Sequence, residues 1–198
     1  ISIPYYLSIE NIEFINCYFE SISGFTSTGF STFKNYESLD QTLILWRSSS
    51  QWIGGLYFLF SILLLIDIFD ENLKKSLTNY FSFNTSEIFK QITKIVVIYI
   101  LTTILIFIML KLVNLRSYDA YNYALTIISS GGFLPNNNFD QIFRSDISKI
   151  IISLTMLLSF FSLFFIYNLI FFKKKNINHL SEDINILIYL IIVIVLSF

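Results

Sequence analysis

Two short stretches of the chain combine hydroxyl residues with glycine in a way that could hold a cation. Residues 26–30 read TSTGF and residues 129–133 read SSGGF. Each stretch offers closely spaced backbone carbonyl oxygens, and glycine permits the positive φ angles that let successive carbonyls point the same way. Carbonyl oxygens that replace a hydration shell are the physical basis of potassium filters. The two stretches are therefore candidate ion-binding loops.

The elements around these loops form an internal repeat. The loops align with an offset of 103 residues, which pairs Tyr18 with Tyr121, Ile22 with Leu125, Ser27 with Ser130, Gly29 with Gly132, and Phe30 with Phe133. Each loop follows a short segment with apolar residues at helical spacing, which is too short to cross a bilayer. We predict two units, each made of a helix, a re-entrant half-helix with a Ser/Thr/Gly turn, and a second helix. A potassium filter is built from four such loops, so two more are expected from a longer chain or from another chain.

The composition places the chain in a bilayer and disfavours other classes of protein. Of the 198 residues 55% are hydrophobic and 14% are charged, whereas about 25% are charged in a typical soluble domain. A net charge of −1 provides no basic field for nucleic acid. A single cysteine and a single histidine exclude a disulfide framework and a two-histidine zinc site. The sequence has no phosphate-binding glycine loop and no plausible catalytic set of side chains, so an enzyme is disfavoured.

Uncharged runs mark the expected membrane crossings. They cover residues 48–66, 95–110, 150–172 and 184 onward. Their lengths fit helices, which satisfy every backbone polar group internally, and do not fit strands. The predicted fold is an all-α membrane protein with tandem helix–pore-loop–helix repeats, surrounded by membrane lipid.

The runs divide the chain into five segments. Residues 1–66 are predicted to form the first repeat, which starts at the end of its outer helix, and residues 88–172 the second. Residues 67–87 and 173–183 are predicted linkers, and residues 184–198 are expected to begin a third outer helix within a longer protein. Seven basic residues lie on the side of the linkers and five on the opposite side, which favours cytoplasmic linkers.

A simpler interpretation of the two loops is that small residues at helix ends only allow membrane helices to pack closely. Two loops in register, each between predicted crossings, favour the ion path instead. For Gly54 and Gly55 in the crossing after the first loop we prefer the packing interpretation, and we extend it to the neighbouring Gln51 and Trp52.

The segment from the first loop into the next helix resembles a known family. Residues 19–55 read FESISGFTSTGFSTFKNYESLDQTLILWRSSSQWIGG. They are similar to the Trk/Ktr/HKT superfamily of potassium transporters, specifically its TrkH-like membrane subunit, whose first pore loop typically reads FESxSGxTTTG and whose next helix carries a WRxxxQWxGG-like stretch. The SSGGF loop resembles the family's second filter segment, which ends in GGF. The resemblance extends in order over essentially the whole chain.

The resemblance implies four unequal repeats around one ion pathway. It assigns filter roles to ten residues: Thr26, Ser27, Thr28, Gly29, Phe30, Ser129, Ser130, Gly131, Gly132 and Phe133. Glycine at positions 29 and 132 goes with potassium selectivity in the family, whereas serine in the first loop goes with sodium-permeable plant relatives. The chain departs from the family at Ser27, where threonine is usual, and at Leu134 and Pro135, which replace a more polar continuation.

The function implied by the resemblance is potassium uptake across the plasma (inner) membrane by a multi-pass protein. Potassium would be the transported ion, with no covalently bound cofactor and no other metal. The expected partners are a cytosolic nucleotide-binding regulatory subunit and a second copy of the chain. The alternatives are a sodium or mixed-cation transporter of the same fold, and a non-conducting membrane scaffold or remnant. The family's gating loop lies in the inner helix of the third repeat, and this chain covers only the expected start of that repeat's outer helix.

Arg47 is a charged residue close to a predicted crossing. A buried arginine in a bilayer costs about 2.5–3.5 kcal/mol even on insertion-based scales. One interpretation is that Arg47 lies near the extracellular interface and extends its guanidinium outward. The family interpretation is a structural charge that pairs with a pore-helix acid or carbonyl, and Glu20 is the nearest candidate by motif.

Overall fold

The described part of the chain is built from helices. The computed structural model describes residues 1–33, 39–69, 88–135, 143, 145–160 and 188. The helices in this part are α1 (Ile3–Ser8), α2 (Phe14–Phe25), α3 (Gln41–Phe69), α4 (Ile88–Leu112), α5 (Ser117–Ile128) and α6 (Asp146–Phe160). No strand occurs among the residues described, and the predicted all-α fold class is confirmed.

The long helices coincide with the uncharged runs. Helix α3 contains the predicted crossing 48–66 and continues to Phe69, past the predicted end of the first repeat. Helix α4 contains the run 95–110, and within it Ile92–Leu112 is the one segment of the described residues that is long and apolar enough by itself to cross a membrane. Helix α6 covers the start of the run 150–172. The rest of that run, most of both linkers and the predicted third outer helix, apart from residue 188, lie outside the described residues.

The two half-helices are related by the offset of 103 residues. Helices α2 and α5 each have 12 residues, and both of their ends match at that offset. Each is preceded by an asparagine with a positive φ, 56° at Asn11 and 60° at Asn114. Asparagine visits this left-handed region more readily than most residues because its short side chain can hydrogen-bond locally. The chain therefore turns into both half-helices in the same way.

The second half-helix lies in the main apolar core. Its face from Ala120 to Ile128 packs against Ile98, Tyr99 and Ile106 of α4, and Trp52 of α3 packs on the same cluster. Because lipid is as apolar as these side chains, van der Waals packing and interhelical hydrogen bonds hold α3, α4 and α5 together.

The first half-helix is held by a smaller cluster and leaves an apolar face uncovered. Tyr5, Cys17 and Leu43 form this cluster between α1, α2 and α3. The uncovered face of α2 carries large residues that are exposed: Phe14, Ile15, Tyr18, Phe19 and Ile22. The two repeats thus share a backbone plan but differ in how their half-helices are covered.

Candidate ion-filter loops

The loop after each half-helix has the same backbone course. Ser27 and Ser130 both have a φ of 53°, and two residues later Gly29 and Gly132 have φ angles of 81° and 76°. Between them, the amide of Thr28 donates to Ser23 O and the amide of Gly131 donates to Thr126 O, both at 2.9 Å. Because φ angles and hydrogen bonds match at equivalent positions of both loops, the predicted repeat is present at the level of single torsion angles.

Hydroxyl groups brace both loops against their own half-helices. Thr26 Oγ1 donates to Ile22 O at 2.8 Å, and Ser129 Oγ donates to Leu125 O at 3.0 Å. Ile22 O also accepts from the amide of Thr26 at 2.8 Å, so backbone and side chain of Thr26 both bond to the end of α2. Ser23 Oγ donates to Phe30 O at 2.5 Å and so fixes the end of the first loop. Each of these three hydroxyl oxygens still has a lone pair that could accept a further bond. The hydrogen bond to the backbone fixes its position.

The structure brings the two loops into contact at their glycines. An ideal Cβ added to Gly29 would lie 2.4 Å from Gly131 O and 3.3 Å from the Cα of Gly132. No side chain fits in that space, so glycine at position 29 is required by the approach of the second loop as well as by its own φ. Ten predicted filter residues therefore lie on two loops that face each other, and their ion-binding role stays a prediction.

The two phenylalanines that end the loops have different surroundings. Phe30 is 71% exposed, whereas Phe133 is 2% exposed. The ring of Phe133 lies under the guanidinium of Arg47, with the Cζ atom 4.2 Å from the ring centroid. This distance is short enough for a cation–π contact. Phe133 therefore acts as a packing residue, although the sequence treats the two phenylalanines alike.

Arg47 and Glu20 form a buried ion pair behind the first loop. Arg47 Nη2 and Nε lie 2.7 and 2.9 Å from Glu20 Oε1, and the two side chains are 1% and 0% exposed. The outward-extending arrangement of Arg47 does not occur. Glu20 also accepts from Ser31 Oγ and from the amide of Thr32, so the pair ties the segment after the first loop to α2 and α3.

Gln51 is a residue whose contacts the sequence analysis missed. We expected it to act in packing, but its side-chain amide joins the second loop. Nε2 donates to Gly131 O at 2.5 Å, and Oε1 accepts from the amide of Phe133 at 3.3 Å. The residue type could have indicated these bonds, because an amide side chain in an apolar crossing needs hydrogen-bond partners.

Gly54 and Gly55 allow α3 to approach both half-helices, as the packing interpretation predicts. A Cβ on Gly54 would lie 1.9 Å from Phe25 O, at the end of α2. A Cβ on Gly55 would lie 2.8 Å from Tyr99 Oη and 2.9 Å from Ser129 Cβ. Trp52 also acts in packing, since its Nε1 donates to Thr103 Oγ1 on α4 at 3.1 Å.

Tyr118 links the start of α5 to the start of α3. Its hydroxyl donates to Gln41 O. Partial burial raises the pKa of the Tyr118 phenol above its usual range, so the hydroxyl stays protonated and keeps donating at any physiological pH. Among the described residues no group of three or more His, Cys, Asp or Glu side chains could hold a metal ion.

Comparison with known proteins gives several relatives that are transporters. No protein-family model matches the chain. An uncharacterized cation transporter of Methanocaldococcus jannaschii is 36% identical over 156 residues, which cover 71% of this chain and 31% of that protein. The Trk system potassium uptake protein TrkG of Escherichia coli is 27% identical over 98% of this chain and 42% of its own length. TrkH of Salmonella typhimurium is 24% identical over 75% of this chain and 32% of its own length.

A solved structure shares the fold. The crystal structure of the potassium transporter TrkH from Vibrio parahaemolyticus superimposes with a TM-score of 0.54 and 22% sequence identity, and covers 75% of this chain and 30% of the TrkH chain. The helices and the paired loops define an all-helical membrane protein of the pore-loop class. The chain is similar to the Trk system potassium uptake proteins TrkG and TrkH, which confirms the resemblance to TrkH-like membrane subunits predicted from the sequence. It spans 31% and 42% of the length of the first two relatives, which are named as transporters and not as enzymes.

Proposed function

We propose that the protein containing this chain takes up potassium ions across the plasma membrane through a channel-like pathway. The observation that carries the proposal is the pair of loops with matching torsion angles, whose glycines at 29 and 132 face each other. The relatives named as potassium uptake proteins support it. The two loops would form half of a filter, and two further loops of the full-length protein would complete it.

The physical basis of the filter is replacement of the hydration shell. A dehydrated ion needs several oxygen ligands at once, and backbone carbonyls held by flanking helices provide them without reorganisation. In both loops the residues before the glycine are fixed by bonds to the half-helix, so the carbonyls are held before an ion arrives. Potassium is the proposed transported ion, and the protein needs no covalently bound cofactor.

Potassium is favoured over sodium by the glycine at position 29. The family resemblance links serine at this position with sodium-permeable relatives, and the close approach of Gly131 O leaves no room for such a side chain. Two alternatives are tested against this proposal. One is a sodium or mixed-cation transporter of the same fold, and the other is a non-conducting membrane scaffold or remnant.

We further propose a multi-pass arrangement in the plasma (inner) membrane with cytoplasmic linkers. A cytosolic nucleotide-binding regulatory subunit would contact the linkers around Lys74 and Lys173, and the protein would form a homodimer. The excess of lysine and arginine on the linker side supports this arrangement, because it favours a cytoplasmic position. Co-purification of the full-length protein with the regulatory subunit, and loss of that complex when Lys74 and Lys173 are changed to glutamate, would test this arrangement.

The experiment for the function is growth rescue. The full-length protein is expressed in a bacterial strain without its own potassium uptake systems, on medium with low potassium. We expect growth to be restored by the parent protein and not by Gly29→Ser, with both present in the membrane in equal amounts. Failure of the parent to restore growth, or equal rescue by Gly29→Ser, would contradict the proposal.

A further inference from the structure

One face of α3 follows the second loop residue by residue. Arg47, Gln51 and Gly55 are spaced four residues apart and therefore lie on the same side of the helix. Their contacts run along the loop in reverse order: Arg47 lies over the ring of Phe133, Gln51 bonds to Gly131 and Phe133, and Gly55 faces Ser129. A helix of the first repeat thus supports the filter loop of the second.

Gln51 is the polar centre of this contact. Its side chain is completely buried. It donates to the carbonyl of one loop residue and accepts from the amide of another, two residues further on. Only a side chain with a donor and an acceptor on the same planar group can make both bonds. The two bonds fix the orientation of the peptide groups on either side of Gly132.

The loop is shaped to receive this side chain. A Cβ on Gly131 would lie 2.4 Å from Gln51 Cδ and 2.4 Å from Gln51 Oε1. The residue at the same position of the first loop is Thr28, so the requirement for glycine is specific to the second loop. The first loop is supported differently, since Thr28 Oγ1 bonds to Thr26 Oγ1 at 2.7 Å.

The repeat contains no second copy of this contact. The offset of 103 residues places Leu154 of α6 at the position of Gln51, and Leu154 is 48% exposed. Arg47 corresponds to Ile150, which is 60% exposed. The support of the loop by a buried polar side chain of the inner helix is therefore asymmetric within the described part of the chain.

We propose that Gln51 is a positioning residue for the second filter loop and thereby a determinant of cation selectivity. The proposal rests on the proposed function, because selectivity requires conduction. Gln51 would act through the loop backbone and not as a ligand of the ion. By bonding to Gly131 O and to the amide of Phe133 it fixes the peptide groups on either side of Gly132, so that the carbonyls of the loop keep the spacing that suits potassium. Without Gln51 the loop can relax toward a smaller or a hydrated ion.

The experiment compares uptake of Rb⁺, as a substitute for potassium, with uptake of Na⁺ by the full-length protein in membranes of equal protein content. Gln51→Met keeps the size of the side chain and removes both hydrogen bonds. We expect the Rb⁺-to-Na⁺ uptake ratio to fall about tenfold, which corresponds to about 1.4 kcal/mol of lost discrimination. The matched control is Ser48→Ala, a buried residue of α3 whose hydroxyl bonds, among the described residues, to Ile44 O of its own helix, and it should keep the parent ratio.

A second variant covers the case in which Gln51→Met does not reach the membrane. Gln51→Asn retains the amide but is one methylene shorter, so it cannot reach both Gly131 and Phe133, and we expect the same fall in the ratio. If the variant that reaches the membrane keeps the Rb⁺-to-Na⁺ uptake ratio of the parent protein, the proposed role of Gln51 is wrong, while the transport function is unaffected. A parent protein that takes up neither ion would overturn the transport function itself.

Discussion

Gly29 and Gly132 have matching torsion angles but different surroundings. Both have a positive φ, which a residue with a Cβ adopts only at a cost of about 1–2 kcal/mol. At Gly29 an added Cβ would also collide with Gly131 O at 2.4 Å, whereas at Gly132 its nearest contact would be the Cα of Gly29 at 3.7 Å. Alanine substitutions at Gly29 and Gly132 therefore distinguish the cost of the positive φ from the cost of the contact between the loops.

We predict that Gly29→Ala reduces Rb⁺ uptake more than Gly132→Ala does. Gly132→Ala bears only the conformational cost, while Gly29→Ala must also push the second loop away. Uptake rates of the full-length variants, normalised to the amount in the membrane, measure the difference. Equal rates, or a larger effect at Gly132, would show that the loops do not meet as described.

The buried pair of Glu20 and Arg47 makes a second prediction at the scale of single residues. Removing one partner of a buried ion pair costs about 3–5 kcal/mol, because the other charge stays in a low dielectric without compensation. Glu20→Gln keeps acceptor and donor atoms for Ser31 and Thr32 but removes the charge. We therefore expect a clearly lower melting temperature of the purified full-length protein in detergent.

The control for this prediction is an ion pair on the surface. Arg116 pairs with Asp119 at 3.0 Å, but the Arg116 side chain is 61% exposed, so Arg116→Gln should cost less than about 1 kcal/mol. Adding Arg47→Met to Glu20→Gln should recover part of the stability, since an apolar side chain needs no counter-charge. Identical melting temperatures for Glu20→Gln and Arg116→Gln would contradict the structural role of the pair.

At the scale of elements, α3 is the helix on which both half-helices rest. Through Gly54 it contacts the end of α2, and through Gly55, Gln51 and Arg47 it contacts the second loop. The first half-helix depends on α3 more than the second does, because α5 is also packed against α4. A shift of α3 should therefore disturb both loops.

The closest of these contacts gives a third prediction. A Cβ on Gly54 would lie 1.9 Å from Phe25 O, so Gly54→Ala must move α2 away from α3. Overpacking of this kind costs about 1–3 kcal/mol, and it also moves Thr26, so both the melting temperature and Rb⁺ uptake should fall. Ser61→Ala is the matched control, since within the described part of the chain the Ser61 hydroxyl bonds to Tyr57 O of the same helix. Parent-like behaviour of Gly54→Ala would contradict the packing of α2 on α3.

Comparison of the elements also shows which features the sequence predicts. The offset of 103 residues predicts both half-helices and the pairing of the two loops, because these depend on local turn chemistry that each repeat encodes for itself, whereas it does not predict the left-handed φ of Ser27 and Ser130. The bonds of Gln51 to a loop 80 residues away, and the burial of Phe133 where Phe30 is exposed, depend on how the repeats pack against each other. Periodicity and motif carry no information on that packing, so these contacts could not be predicted from the sequence.

For the whole molecule, the distribution of lysine and arginine predicts the orientation in the membrane. Seven basic residues lie on the linker side and five on the loop side, and the side with more lysine and arginine stays in the cytoplasm. Single cysteines are introduced at Asn176, in the second linker, and at Asn137, after the second loop, in full-length protein without native cysteines. A membrane-impermeant thiol reagent added to intact cells should label Asn137→Cys and not Asn176→Cys. The reverse labelling would show that the orientation is wrong.

We propose that the two loops, which face each other at Gly29 and Gly132, form part of a filter whose carbonyls would replace the water around a potassium ion. The most direct test is potassium flux through the purified full-length protein in proteoliposomes, driven by a potassium gradient. We predict flux that is faster for K⁺ than for Na⁺ and that Gly29→Ser abolishes or makes unselective. Absence of K⁺ flux from the parent protein, or flux and selectivity unchanged in Gly29→Ser, would contradict the assignment of the loops as a potassium filter.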